Sequence, residues 1–175
     1  MTSITDLLTS RWYGALFVTA GTALLLAALF YQYVLGEEPC QVCVHARLWV
    51  TAWILSGLMI LLLPQHFVGR SLGHLSIIAA GIGLAERAFY LYRLENGIGD
   101  GSCEFQLGMP DWFAVDRWLP WLFEVRNLCS FTPEIALGIS MAEALLATAI
   151  TLSLLSAWVW TRELRTWVRG EAPAR

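Results

Sequence analysis

The sequence contains no lysine and few charged residues of either sign. All 11 basic residues are arginine, 14 residues are Asp or Glu, and charged residues make up 14% of the 175-residue chain. A soluble domain averages about 25% charged residues, and a disordered chain combines low hydrophobicity with high charge. The 57% hydrophobic content therefore argues against both classes. The net charge of −3, without a basic run, also argues against nucleic-acid binding.

The hydrophobic residues are concentrated in four long runs. A membrane-spanning helix needs about 20 apolar residues, and several of the nine tryptophans lie at the ends of the runs, as in the aromatic belts of membrane proteins. The first run is too long for the apolar core of a signal peptide. We therefore predict one all-α domain over residues 1–175, a transmembrane four-helix bundle without strands. Its helices cover about 12–35, 42–63, 72–94 and 137–160.

The arginines indicate how the bundle is oriented. Four spans place both termini on one side of the membrane, and six arginines lie in the termini and the 64–71 turn. The loops 36–41 and 95–136 carry only Arg117 and Arg126, among many acidic residues. Because arginine is enriched on the cytoplasmic side, both termini are predicted to be cytoplasmic. All four cysteines then lie on the outer side.

The 95–136 loop contains a candidate amphipathic helix. Asp111 is a plausible N-cap, and apolar residues recur after it at helical spacing, from Trp112 to Leu122. We predict a short helix in the membrane interface, ended or kinked by Pro120. The alternative is that these aromatic side chains pack onto the end of the bundle.

A cysteine pair in the segment Pro39-Cys40-Gln41-Val42-Cys43 opens the second run. If the second helix begins here, with Pro39 in its first turn, Cys40, Cys43 and Arg47 share one face. The helix N-terminus and the Arg47 cation both favour a thiolate, which is the species that exchanges disulfides. A cation inside a membrane needs a partner, so Arg47 is a candidate functional residue.

The second pair of cysteines, Cys103 and Cys129, has 25 residues between its members. This spacing is poor for a zinc site. An inert structural disulfide is the other alternative, and it would stabilise the loop by roughly 3 kcal/mol. Cys-x-x-Cys pairs are usually redox-active, so two dithiols on one membrane face indicate an electron relay. Val44 follows Cys43, which excludes a Cys-x-x-Cys-His haem motif, and a lipid-soluble quinone near Arg47 fits best as the acceptor.

This ordered set of motifs resembles the disulfide bond formation protein B (DsbB) family, which are bacterial inner-membrane thiol:quinone oxidoreductases. The resemblance covers nearly the whole chain. It includes the four spans, the Pro-Cys-x-x-Cys-x3-Arg segment at 39–47, and an outer loop with Cys103-Glu-Phe, Met109-Pro110-Asp111-Trp112, Asp116-Arg117-Trp118-Leu119-Pro120 and Cys129. One departure is the 138–145 segment, which lacks the proline and the aromatic residue that family members commonly carry there.

The resemblance implies a mechanism and a set of partners. A periplasmic thioredoxin-fold protein of the DsbA type would attack Cys103 of a Cys103–Cys129 disulfide. Electrons would pass to a second redox-active disulfide, Cys40–Cys43, with Cys129 and Cys40 as the bridging pair. Cys43 and Arg47 would bind the quinone, which is ubiquinone in aerobic bacteria and menaquinone as its anaerobic substitute.

Two other functions fit parts of the pattern. A vitamin K epoxide reductase-like enzyme shares four helices, Cys-x-x-Cys and a quinone, but its loop cysteines precede the Cys-x-x-Cys. A non-enzymatic membrane scaffold with two structural disulfides is the other alternative. Among the remaining polar residues, we interpret Arg87 and Glu143 as an interhelical ion pair, with a proton path as the alternative. Glu86, beside Arg87, cannot face the same partner.

Overall fold

The computed structural model describes residues 12–62, 67–98, 104–129, 134–136 and 138–170. Four of its helices are long enough and apolar enough to cross a membrane. Along the chain the elements are α1 (Trp12–Tyr33), α2 (Gln41–Leu62), α3 (Phe67–Glu95), a 3-10 turn (Asp111–Phe113), α4 (Val115–Trp118), α5 (Pro120–Phe123), β1 (Glu134–Ala136), β2 (Ile139–Ser140) and α6 (Met141–Val168). The prediction of an all-α, four-helix membrane bundle is confirmed, and the chain is a multi-pass membrane protein.

The start of the last spanning helix differs from the prediction. Instead of helix from residue 137, β2 pairs with β1 in a small antiparallel hairpin, so the expectation of no strands is wrong. Gly138 adopts a φ of +78° in the turn, a conformation that favours glycine. The helix then begins at Met141, because the Ser140 side chain accepts the Glu143 backbone N–H and the Glu143 side chain accepts the Ser140 backbone N–H.

This capping role also corrects the predicted ion pair. Glu143 is engaged at the start of α6, and Arg87 Nε instead lies 2.8 Å from Glu86 Oε2 on the same helix. Adjacent helical side chains diverge at their Cβ atoms, but both chains are long and partly exposed, so their ends meet. Such an exposed pair contributes little to stability.

Small residues let the spanning helices approach closely. A Cβ atom at Gly14 of α1 would lie 2.6 Å from the Gly57 carbonyl oxygen of α2, and one at Gly57 would lie 2.8 Å from the Gly14 oxygen. Side chains at Gly81 and Gly83 of α3 would likewise collide with Ser153 of α6 and Trp49 of α2. Small residues of α3 thus allow close packing against both neighbours.

In its described residues 104–129, the long loop forms three short helical turns rather than one amphipathic helix. Pro120 begins α5 instead of ending a longer helix, and Asp111 accepts a hydrogen bond from Arg117 instead of capping a helix. Leu122 and Phe123 are buried against Val44 of α2. The tryptophans of this segment remain exposed: Trp112 by 77%, Trp118 by 59% and Trp121 by 51%. The loop therefore packs on the bundle with one side and presents aromatic rings on the other.

Candidate functional site

Cys40, Cys43 and Cys129 lie at one end of the bundle, where α1 ends and α2 begins. We call this end, with residues 36–40 and the 104–129 segment, the cysteine end. The loop is attached to α1 at this end, because the Tyr33 hydroxyl donates a hydrogen bond to the Trp121 carbonyl oxygen over 2.8 Å. Cys103, the fourth cysteine, lies outside the described residues.

Cys40 immediately precedes α2 and satisfies its first turn. Its carbonyl oxygen accepts the Val44 backbone N–H at 3.0 Å, and its sulfur accepts the Cys43 backbone N–H at 3.3 Å. An N-cap residue satisfies the same otherwise unpaired donors. Pro39 stands outside the helix, so the prediction that it lies in the first turn is wrong.

Cys40 and Cys43 are both free cysteines in the structure. The hydrogen bond with the Cys43 side chain, together with burial, raises the pKa of the Cys40 thiol above its ordinary value. Cys43 lies in the first turn of α2, where the helix N-terminus favours negative charge. When both cysteines are reduced, Cys40 is therefore the thiol that stays protonated, and the negative charge of a thiolate is favoured at Cys43.

Arg47 is 6% exposed, and its guanidinium binds neutral oxygens on two other segments. Nη1 donates to Gln32 Oε1 over 2.7 Å and to the Leu122 carbonyl oxygen over 2.9 Å. Nη2 donates to the Ala28 carbonyl oxygen over 3.3 Å. The sequence indicated that Arg47 needs a partner but did not identify Gln32. The available signal was a lone amide near the end of the first apolar run.

The return of the long loop brings Cys129 to the cysteine pair. The Pro39 carbonyl oxygen accepts the backbone N–H groups of Arg126 at 3.0 Å and Asn127 at 3.2 Å. Asn127 also forms a parallel bridge with Cys40. Two residues later, Cys129 is disulfide-bonded and 5% exposed, and it shares a buried cluster with Cys40. The backbone pairing at Pro39 thus places Cys129 and Cys40 in one cluster.

A cavity of about 170 Å³ lies beside Cys43 and Arg47. Its walls come from all four spanning helices and are mostly apolar, with Leu24, Val50 and Leu145 among them. Cys43 and Arg47 supply a sulfur and a buried cation, and the remaining polar lining residues are Tyr31, Glu37, Glu38 and Thr148. This combination suits a flat apolar molecule that has a polar oxygen at its rim.

The geometry places three cysteines in sequence next to a cavity. Cys129 and Cys40 belong to one buried cluster, the Cys40 sulfur accepts the Cys43 backbone N–H, and Cys43 lines the cavity with Arg47. The sequence-predicted site residues that the structure describes are therefore brought together. Chemically, this order permits thiol–disulfide exchange at one end and exchange with a cavity-bound molecule at the other.

Comparison with known proteins gives a consistent family match. The family model described as disulfide bond formation protein DsbB matches residues 10–159. Disulfide bond formation protein B 2 of Pseudomonas aeruginosa is 31% identical over 144 residues, which cover 81% of this chain and 85% of that protein. Disulfide bond formation protein B of Shewanella denitrificans is 30% identical over 83% of this chain and 82% of its own length. The Shewanella amazonensis protein of that name is 30% identical over 91% and 94%.

Proposed function

Because this chain belongs to the family of disulfide bond formation protein DsbB, we propose that it reoxidises a soluble thioredoxin-fold dithiol protein of the DsbA type and passes the electrons to a membrane quinone. In this proposal the cysteine end faces the periplasm of a bacterial inner membrane, and both termini face the cytoplasm. The arginine-rich termini and the acidic outer loops support this orientation.

The observation that carries the proposal is the shared burial of Cys40 and Cys129. They are 1% and 5% exposed and belong to one buried cluster. The same loop is also tied to α1 by the hydrogen bond between Tyr33 and Trp121, which are 88 positions apart in the sequence. A scaffold with two independent structural disulfides has no need to bury a free thiol against a disulfide. A relay needs the two cysteines close together, because exchange requires one sulfur to approach another.

The first proposed step opens the loop disulfide. A thiolate of the soluble partner attacks the Cys103 sulfur, a mixed disulfide forms, and the Cys103–Cys129 bond breaks with its electron pair on Cys129. The second thiol of the partner then completes its own disulfide and releases Cys103 as a thiol. Two electrons have moved from the partner dithiol to the loop pair, and the partner leaves oxidised.

The second step passes these electrons inward. The Cys129 thiolate attacks Cys40 of a Cys40–Cys43 disulfide, and Cys43 leaves as a thiolate at the helix N-terminus, where negative charge is favoured. Cys103 then displaces Cys40 and restores the loop disulfide. The products are a loop disulfide and a Cys40/Cys43 dithiol, which is the combination of free cysteines at 40 and 43 and disulfide-bonded Cys129 that the structure contains.

The last step belongs to the cavity beside Cys43. Its apolar walls fit a quinone ring and isoprenoid tail, and Arg47 is the residue that would donate to a quinone oxygen. A bound quinone supplies the capacity to take up two electrons and two protons. Cys43 presents the attacking sulfur, Cys40 closes the disulfide, and Gln32 with the Leu122 carbonyl oxygen holds the guanidinium in place.

A reconstituted turnover assay tests the proposal. The purified protein in lipid nanodiscs, mixed with a reduced thioredoxin-fold oxidase and a short-chain ubiquinone, is expected to consume partner thiols and quinone in a one-to-one ratio of dithiol to quinone. Cys43→Ser should abolish quinone loss, because the sulfur facing the cavity is gone. Absence of turnover by the unaltered protein with both ubiquinone and menaquinone analogues would favour the scaffold alternative.

A further inference from the structure

A second set of contacts at the cysteine end involves residues that the relay does not use. Gln41 and His45 lie four positions apart on α2 and therefore point to the same side of the helix. Both bind the backbone of the loop segment 104–107, which we call the docked segment. In sequence it directly follows Cys103.

The Gln41 amide binds the docked segment at two points. Its oxygen accepts the Glu104 backbone N–H at 3.2 Å, and its nitrogen donates to the Gln106 carbonyl oxygen over 2.8 Å. The backbone of the docked segment bends at Phe105 and Gln106, which brings these two groups to the same amide. Gln41 thus satisfies one backbone N–H and one backbone carbonyl oxygen of the segment.

His45 adds a third contact one turn further along α2. Its Nε2 lies 3.0 Å from the Leu107 carbonyl oxygen, so this nitrogen carries the proton and donates. The Leu107 side chain is 3% exposed and packs in the same cluster as Val44 and Phe123. The docked segment is therefore held by side chains of α2 on its polar edge and by the apolar loop core on its other side.

The two halves of the loop are attached in different ways. Beside Cys129 the loop is held by backbone hydrogen bonds at Pro39, and at Trp121 and Leu122 by the side chains of Tyr33 and Arg47. The docked segment is held by the side chains of Gln41 and His45. It begins one residue after Cys103, the cysteine that the partner attacks in the proposed first step, and attack needs an in-line path to sulfur. Release of the docked segment frees the chain next to that sulfur.

We propose that Gln41 and His45 are positioning residues that form a latch on the docked segment, and that a soluble thiol reaches the loop disulfide when this latch opens. The proposal rests on the function proposed above. It assigns to the latch the balance between a docked loop, in which Cys129 shares a buried cluster with Cys40, and a released loop, in which the partner reaches Cys103.

Hydrogen exchange and thiol kinetics on the same variants test the latch. Gln41→Met removes both amide contacts at similar side-chain length, and His45→Phe keeps a ring but removes its donor. All variants are made in a Cys40→Ser/Cys43→Ser background, so that the loop disulfide is the sole oxidant and the result does not depend on quinone reduction. Dithiothreitol serves as the soluble thiol.

His45→Phe should speed exchange of the Glu104 amide hydrogen and reduction of the loop disulfide by the same factor. Gln41→Met removes the acceptor of that amide, so in this variant the rate of disulfide reduction is the readout. When closing is fast, both rates are proportional to the open fraction, and the loss of one hydrogen bond corresponds to roughly fivefold to tenfold. Exchange at the Asn127 amide, which donates to Pro39, should stay unchanged. His45→Gln should restore slow rates, because its amide can donate to the same carbonyl oxygen.

Glu124→Gln provides the matched control. It removes the ion pair with Arg126 in the other half of the loop and should leave the Glu104 amide and the disulfide rate unaltered. Unchanged Glu104 exchange in His45→Phe would overturn the latch itself. Faster Glu104 exchange with unchanged disulfide reduction would overturn its control of access, whether or not the intact protein reduces quinone.

Discussion

The Arg47 guanidinium is held by three neutral oxygens, so a substitution by alanine removes a cation that no acidic side chain of the described residues balances. Arg47→Ala should raise the quinone KM or lower kcat by at least about tenfold, if one charged hydrogen bond of about 1.5–3 kcal/mol is lost in the transition state. Arg47→Lys should recover only part of the loss, because an ammonium cannot reproduce the planar fork of guanidinium. Steady-state kinetics with varied quinone measures this. Unchanged kinetics in Arg47→Ala would make Arg47 a structural anchor.

Gln32 extends this argument to a residue that acts through Arg47. Gln32→Met keeps the side-chain length but removes the oxygen 2.7 Å from Arg47 Nη1. Because the cation loses one of its acceptors, we expect a higher quinone KM with little change in the rate of loop-disulfide reduction. Gln32→Glu retains an acceptor and is the comparison variant. Equal loss of both activities in Gln32→Met would indicate a general folding defect.

The order of the cysteines predicts where a partner becomes trapped. Cys129→Ser cannot form the loop disulfide and leaves Cys103 as an unpaired thiol, whose thiolate attacks the disulfide of an added oxidised partner. The mixed disulfide at Cys103 should accumulate, because Cys129 is no longer present to attack Cys103 and release the partner. Non-reducing electrophoresis and peptide mass spectrometry identify the joined cysteines. Partner trapped mainly on Cys40 or Cys43 would reverse the proposed roles of the two pairs.

At the scale of elements, the loop turns separate two kinds of aromatic residue. Phe123 is buried on the bundle, whereas the Trp112, Trp118 and Trp121 rings are exposed at the cysteine end. Interfacial burial of such rings is favourable, so lipids brominated near the headgroup should quench their fluorescence more than lipids brominated near the chain end. A protein that retains only these three tryptophans makes the measurement specific. Quenching only by deep bromines, or by neither lipid, would contradict an interfacial position.

The elements also show what could be predicted from sequence and what could not. The four spans follow from hydropathy, because the bilayer requires a minimum apolar length whatever the tertiary contacts. The shape of the loop did not follow, since α4 and α5 are four-residue turns held by contacts such as Arg47 to the Leu122 carbonyl oxygen, which join positions 75 residues apart. Gln32 was missed for the same reason: its role depends on which α2 residue packs against it.

For the whole molecule, the arginine distribution predicts a measurable orientation. A reporter enzyme that is active only in the cytoplasm should be active when it is fused after Arg175. After mild reduction of intact cells, a membrane-impermeant maleimide should label Cys103 and Cys129. Labelling of the cysteines only after the membrane is permeabilised would contradict the proposed topology, because the charge bias was its sole support.

The hydrogen bonds of Arg47 also bear on the order in which the protein is made. Gln32 and Ala28 lie on α1, so two of the acceptors of this cation are synthesised before Arg47 itself. The reciprocal contact of Gly14 and Gly57 joins the same two helices. As the chain leaves the ribosome, the α1–α2 hairpin can therefore enter lipid as a unit, with the Arg47 guanidinium already hydrogen-bonded to oxygens of α1. The Leu122 carbonyl oxygen joins later, when the loop closes over a hairpin that is already in place.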